Sequence, residues 1–283
     1  MKLSYSVEEV ERWRDRVYRR SSKAGIRGEQ ETLRFINKVG FCLTFQSPDV
    51  ELPNLWDAVM GRNGRARTSN ERNYYLSYAW EIQSILPNHN SIYLGKIFKR
   101  RPSVISREYF TYFYALTART GSVDEYKREF ADGKLSPAAK KILDVLMRQS
   151  PMSSRELRTA LQGKLRTAIP GFEKAIEELQ RKMFITRIVG EEGKFTAMWA
   201  PIVKVFPQEV RKARTISSDA AREQLLRKYF ENQLVTSIES IHKVFGWAKK
   251  DIYRTIGQLI HAGVIVPSKT ADGSRGRDYC FVN

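Results

Sequence analysis

The chain has 283 residues, 49 of them Lys or Arg against 31 Asp or Glu, for a formal charge of +18. Its 42% hydrophobic and 11% aromatic content supplies packed cores, which excludes a disordered basic tail and suits two or three small domains. Only Cys42 and Cys280 are available for sulfur chemistry, Met1 to Asp15 holds no apolar leader, and no run approaches the ~18 apolar residues of a membrane span; these features exclude a disulfide framework and a cysteine zinc site and point to a cytoplasmic, possible nucleoid-associated setting.

The first predicted element is a charged helix with Val7, Val10, Trp13 and Val17 as its buried stripe and Arg12, Arg14, Arg16, Arg19 and Arg20 over the remainder. A loop over Ser21–Gly28 leads to a helix at Glu29–Val39, then to the apolar stretch Gly40–Phe45, which polar Gln46-Ser47-Pro48-Asp49 ends. Leu55, Trp56 and Val59 suit a short helix. Gly61–Arg72 is a basic loop holding Arg62, Arg65, Arg67 and Arg72, fit either to ride on phosphates or simply to be solvated. Tyr74–Leu86 reads as helix and Ile92–Lys99 as strand, with a basic turn, Arg100-Arg101-Pro102, before Val104-Ile105-Ser106. The aromatic run Tyr109, Phe110, Tyr112, Phe113 and Tyr114 is expected to fill a core rather than to stack on bases. Residues 1–135 are thus an N-terminal region compatible with a divergent winged helix.

Residues 136–200 and 218–282 follow one plan, with landmarks offset by about 80 positions, which argues for a duplicated unit. In the first copy, Pro137–Gln149 carries Ile142, Leu143, Leu146 and Met147 at helical spacing. Ser153-Ser154-Arg155-Glu156 then fits a capping box ahead of Leu157 and Leu161. A third helix carries Phe172, Ile176, Leu179 and Met183, and Ile185–Val189 with Phe195–Ala200 flank a Gly-bearing link, as in a β-hairpin. The second copy repeats the order with Asp219–Gln233, a capping box at Thr236-Ser237-Ile238-Glu239, a third helix at Ala248–His261 with Ile252, Ile256, Leu259 and Ile260 inward, and a hairpin pairing Gly263–Ser268 with Arg277–Val282. Three helices followed by a hairpin describe a winged helix. The predicted architecture is mainly α with small β-hairpins (α+β), in tandem winged helix-turn-helix units at 136–207 and 208–283 after the 1–135 region.

A charge excess of this size attracts polyanions and gains affinity by releasing counterions from phosphates. The predicted partner is DNA, with the duplex favoured, a protein partner possible and no membrane. Candidate contacts are Arg62, Arg65, Arg67, Arg100 and Arg101 in the first region, Lys174 in the middle one, and Lys249, Lys250, Arg254, Lys269, Arg275 and Arg277 in the last, clustered where helix-turn-helix proteins meet the duplex. Basic helix starts and wings also serve solubility, and winged helices also dock proteins, so a protein-interaction scaffold stands as a further reading.

The succession Gly40-Phe41-Cys42, Leu52-Pro53-Asn54-Leu55-Trp56-Asp57-Ala58-Val59, Leu94-Gly95-Lys96, and Ile105-Ser106 through Tyr112-Phe113-Tyr114-Ala115-Leu116 resembles the AlkZ-related winged-helix proteins, over about residues 20–200. That resemblance implies kinship with the AlkZ/YcaQ DNA glycosylases, which cradle duplex DNA between tandem winged helices and excise alkylated or crosslinked bases. The glycosylases carry a Gln-x-Gln or Gln-x-Asp motif near the segment matching Gly40–Gln46, where this chain has Leu43 and Phe45. Neither side chain orients water or stabilises an oxocarbenium-like transition state. Gln46 or Asp49 reaches that role only with a register slip, and Glu81, after Trp80 where relatives tend to place Lys-Asp, is either a surface carboxylate or a site residue.

His89, His242 and His261 are isolated, and no phosphate-binding Gly-rich loop or dinucleotide fingerprint occurs, so no metal and no cofactor are expected. Ile169-Pro170-Gly171-Phe172 faintly resembles a helix-hairpin-helix turn but is more often an ordinary helix start, and is read as one. The expectation is a DNA-binding protein without catalytic activity; the alternative is a DNA glycosylase with a displaced water-activating group.

Overall fold

A computed structural model gives a mainly helical α+β architecture with small antiparallel sheets. The structure describes residues 4–21, 25–61, 68–70, 73, 91–162, 170–189, 197–268 and 278–282. Helix α1 (Val7–Val17) opens with a capping box, in which the Ser6 hydroxyl accepts from Glu9 N and the Glu9 carboxylate accepts from Ser6 N. Val10 and Val17 are buried as expected, but Val7, in the first turn, is 53% exposed. The inward stripe therefore starts one turn later. The α1 face meets the last strands of the chain, with Val10, Leu234, Val235 and Cys280 in one cluster and Trp13 Nε1 donating to Glu231 O at 2.9 Å.

Next come α2 (Gly28–Val39), strand β1 (Phe41–Leu43) and α3 (Leu55–Met60). The helix expected at Tyr74–Leu86 lies outside the described residues; β2 (Ile92–Gly95) then pairs antiparallel with β3 (Ser103–Ser106). Helix α4 (Arg107–Ala115) carries the aromatic run. Phe110, Phe113 and Tyr114 are buried, and Phe110 lies 4.6 Å from Phe206, ring centre to ring centre, so these rings fill a core as expected. Helix α5 (Glu125–Ala131) follows.

Both copies of the repeat adopt the same order of elements. The first has α6 (Pro137–Arg148), β4 (Met152–Ser153), α7 (Ser154–Gln162), α8 (Phe172–Arg181), β5 (Ile185–Val189) and β6 (Ala197–Pro201), with β6 central in the order β4-β6-β5. Short helices α9 (Ile202–Val205) and α10 (Pro207–Ala213) lead to the second: α11 (Ser218–Gln233), β7 (Val235–Ser237), α12 (Ile238–Phe245), α13 (Lys249–His261), β8 (Ile265–Ser268) and β9 (Asp278–Phe281), ordered β7-β9-β8. The hairpins were expected; β4 and β7 were not, because two or three residues are too few to show alternation and become strand only by pairing with β6 and β9.

Two further details depart from the expectation. The Ser153–Glu156 box forms, with Ser153 N donating to Glu156 at 2.7 Å and Glu156 N to Ser153 Oγ at 3.2 Å. In the second copy Ser237, one residue later than expected, is the cap, accepting from Ser240 N at 3.1 Å, which leaves Glu239 at the second helical position, and the box does not form. Ile260, expected inward, is 37% exposed, whereas Ile252, Ile256 and Leu259 are buried.

By contact density the chain makes two compact units, residues 1–80 with 217–283, and residues 81–216. The division expected at 135 and 207 follows chain order and repeat boundaries instead. Within the first unit, Asn232 Nδ2 donates to Val39 O at 2.8 Å and Gln233 Nε2 donates to Glu51 O at 3.0 Å, fastening α11 to the segment around β1. No helix among the described residues is long and apolar enough to cross a membrane.

Candidate nucleic-acid interface

The segment carrying Gln46 and Asp49 is tied back on itself. Leu43 N donates to Pro53 O at 2.9 Å and Trp56 N to Thr44 O at 3.0 Å, which bends 44–54 into a loop returning to the start of α3. At that helix start Asn54 caps, its Oδ1 accepting from Asp57 N at 2.7 Å. The Asp57 carboxylate, 4% exposed, is satisfied on both oxygens: Asn54 Nδ2 donates to Oδ2 at 2.9 Å, and Gln46 Nε2 donates to Oδ1. Gln46 is exposed and closes this group over the helix start; Asp49 is exposed, with its amide donating to Ser47 Oγ at 3.3 Å. Leu43 is 1% exposed, so the strand presents an inward leucine where the resemblance places a glutamine. Asn54 and Asp57 were legible as an i, i+3 cap, but their pairing with Gln46 depends on the loop return.

The cations sort by environment. Arg119, 7% exposed in its side chain, is structural: Nε donates to Glu129 at 2.8 Å, Nη1 to Met183 O at 3.0 Å and Nη2 to Lys182 O, with the guanidinium 3.7 Å over the Phe184 ring. It satisfies carbonyls at the end of α8 where the helix leaves them without partners. Arg107 is committed to Glu209, and Arg20 to Glu11 and Asp15. Lys249 and Lys250 are exposed at the start of α13, which has Ala248 as N-cap and no side-chain capping bond. Arg254, on the same helix, is exposed but shared between Asp219 at 3.1 Å and Asp251 at 3.6 Å.

Lys174 is exposed on α8, which likewise opens without a side-chain cap, from left-handed Gly171. Arg100 and Arg101 are exposed in the turn between β2 and β3, and Lys96 joins them; its Nζ donates to Glu177 at 3.4 Å, and Arg100 Nε lies 3.5 Å from the other Glu177 oxygen. The structure thus brings Arg100 into one neighbourhood with α8, the helix of Lys174, a proximity invisible to sequence reading. Arg62, Arg65, Arg67, Glu81, Lys269, Arg275 and Arg277 lie outside the described residues.

Sequence reading also missed a cavity of about 300 Å³ lined by Arg19, Arg34 and Lys38 with Glu31, Ile26 and Phe35. A second cavity in the same unit, about 520 Å³, has four carboxylates, Glu11, Glu51, Glu239 and Asp278, against one arginine, Arg14, a balance that repels a polyanion. Glu178 shows how acids serve structure: burial raises its pKa, but bonds from Ser136 and Lys182 outweigh that and hold it below the ordinary glutamate value. Among the described residues, no group of three or more His, Cys, Asp or Glu could hold a metal ion.

Comparison with solved structures finds the Streptomyces sahachiroi DNA glycosylase AlkZ, with TM-score 0.58 at 11% identity, over 99% of this chain and 71% of that one. At that identity the likeness is one of fold. No curated protein matches by sequence. A family model described as AlkZ related matches residues 26–246, most of the chain, and the chain belongs to the AlkZ-related family.

Proposed function

We propose that the chain is a duplex-DNA-binding protein of tandem winged-helix build that does not excise bases. The observation that carries this reading is the exposed Lys249–Lys250 pair at the uncapped start of α13, the third helix of a unit whose helix, strand, helix, helix, strand, strand order is that of a winged helix. A helix start carries free amide donors and a positive dipole end, so lysines there repel the helix's own field; a phosphate ligand removes that penalty and is bound by amides and ammonium groups together. The net charge of +18 adds a long-range attraction for the same ligand. The family tie and the AlkZ-like fold support DNA as the partner.

The absence of base excision rests on inward Leu43 and on the Asp57 carboxylate, in the first turn of α3, having both oxygens engaged. A glycosylase reading draws on the same group, since exposed Gln46 bonded to a carboxylate is a pair able to orient water once rearranged. Fluorescence anisotropy with plain and alkylated duplexes across a salt series tests the first reading, with an expected log–log slope on the order of −4 for several phosphate contacts. Base release measured on the same samples decides between the readings: free base lost on Asp57→Asn would establish the glycosylase, and none is expected. A setting in the cytoplasm, at the nucleoid, belongs with this proposal.

A further inference from the structure

The turn joining β2 and β3 is built against local preference. Lys99 and Arg100 have φ of 47° and 63°, and Arg101 N donates to Phe98 O at 2.8 Å, closing a four-residue turn with both central residues left-handed. Such turns ordinarily take Asn-Gly, because a Cβ is strained there. Here two cations occupy the tip, and the surroundings hold them in place. Phe98 is 1% exposed and edge-on to Phe113 at 5.6 Å, and Ser103 Oγ accepts from Phe98 N at 3.3 Å while donating to Arg101 O at 2.7 Å.

The hairpin is also hydrogen-bonded to the first repeat copy. Tyr93 Oη donates to Gln180 O at 2.8 Å, and the Thr186 hydroxyl accepts from Leu94 N at 3.4 Å and donates to Leu94 O at 3.2 Å. Glu177 stands three residues before Gln180, on the same face of α8, and its two oxygens meet Lys96 and Arg100 at 3.4 and 3.5 Å. Both contacts are long, and the Arg100 side chain is 67% exposed. An ion pair of this kind contributes little to stability and exchanges readily with another anion. A backbone phosphate offers the guanidinium fork a better acceptor.

Resting on the DNA-binding reading above, we infer that Lys96, Lys99 and Arg100 form a preset grip for one duplex phosphate, and that Glu177 occupies this grip as a resident phosphate surrogate until DNA displaces it. The carboxylate weakens binding at any single phosphate, so the duplex is held only where further contacts add to this one. Removing the charge of Glu177 frees the grip without removing a cation.

The test is anisotropy of a labelled 20-base-pair duplex with the wild type, Glu177→Gln, Arg100→Gln, the double variant, and Asp132→Asn, which removes an equal charge from a carboxylate that pairs with Lys134. Glu177→Gln is expected to bind about 3–10-fold tighter, with a salt slope steeper by about 0.9, as for one added phosphate contact. Arg100→Gln should abolish that gain in the double variant, and Asp132→Asn should stay within about 2-fold of the wild type. A gain from Asp132→Asn equal to that from Glu177→Gln, or no gain from Glu177→Gln in a protein that binds duplex, overturns the surrogate role alone. Absence of duplex binding by every variant at every salt overturns the DNA-binding reading and this inference with it.

Discussion

The third helices of the two repeat copies keep the same apolar positions and differ in almost everything else. Phe172, Ile176 and Leu179 in α8 stand 80 residues before Ile252, Ile256 and Leu259 in α13, and all six are buried. A cation is kept where Lys174 matches Arg254, but other polar positions diverge: Lys249 and Lys250 stand where α8 is preceded by Ile169 and Pro170, and Glu177, which faces Lys96 and Arg100, matches Gly257. The inward positions hold one packing solution under a penalty for every lost methylene. The outward positions carry no such penalty, so one scaffold presents a lysine-led helix in one copy and, in the other, a helix whose Glu177 faces the cations of the β2–β3 hairpin.

The shared core is the firmest side of that comparison. Leu179 and Leu259 are each fully buried, and truncating either to alanine is expected to cost about 2–5 kcal/mol in chemical denaturation. A cost below about 1 kcal/mol in only one copy would break the equivalence. The divergent surface gives the next effect: on the proposed function, Lys249→Ala with Lys250→Ala weakens duplex binding by about 10–100-fold, and Lys174→Ala by about 3-fold or less, in anisotropy at fixed salt. Equal losses would mean that the two helices engage DNA alike.

Capping effects are smaller. Ser153→Ala and Ser237→Ala each remove a cap accepting one amide, and each is expected to cost about 1 kcal/mol. The two glutamates that follow separate the copies at low pH. The backbone amide of Ser153, together with its side chain, holds the Glu156 pKa below the ordinary glutamate value, so its stabilising contribution is present above that value and fades as pH falls through the lowered one. Glu239 closes no box, and Glu239→Gln should leave the acid limb of a melting-temperature profile unchanged while Glu156→Gln flattens it.

Much of this was open to reading along the chain. Ser153 with Glu156, the i, i+4, i+7 spacing of α8 and α13, and the hairpins that follow are local patterns with local causes. The displaced cap at Ser237 was not, because the helix starts where β7 ends, and β7 is strand only by pairing with β9 more than 40 residues later. The candidate site divides in the same way. Lys249 and Lys250 are recognisable as an exposed helix start, whereas Glu177 faces Lys96 only because Tyr93 ties the hairpin to α8 and Thr186 ties it to β5. Gln46 and Asp57 meet only because the loop between them returns to α3.

The sequence by itself determined the duplicated unit, its helices and hairpins and the excess of cations, since periodicity, caps and charge depend on residues a few positions apart. Tertiary structure decided which cations are spent on the fold. Arg119 looks no different in the chain from Arg100, yet it is buried and consumed by Glu129 and backbone carbonyls, while Arg100 stays exposed beside Glu177. A charge acts on whatever lies within a few ångströms, and only the folded chain sets that distance.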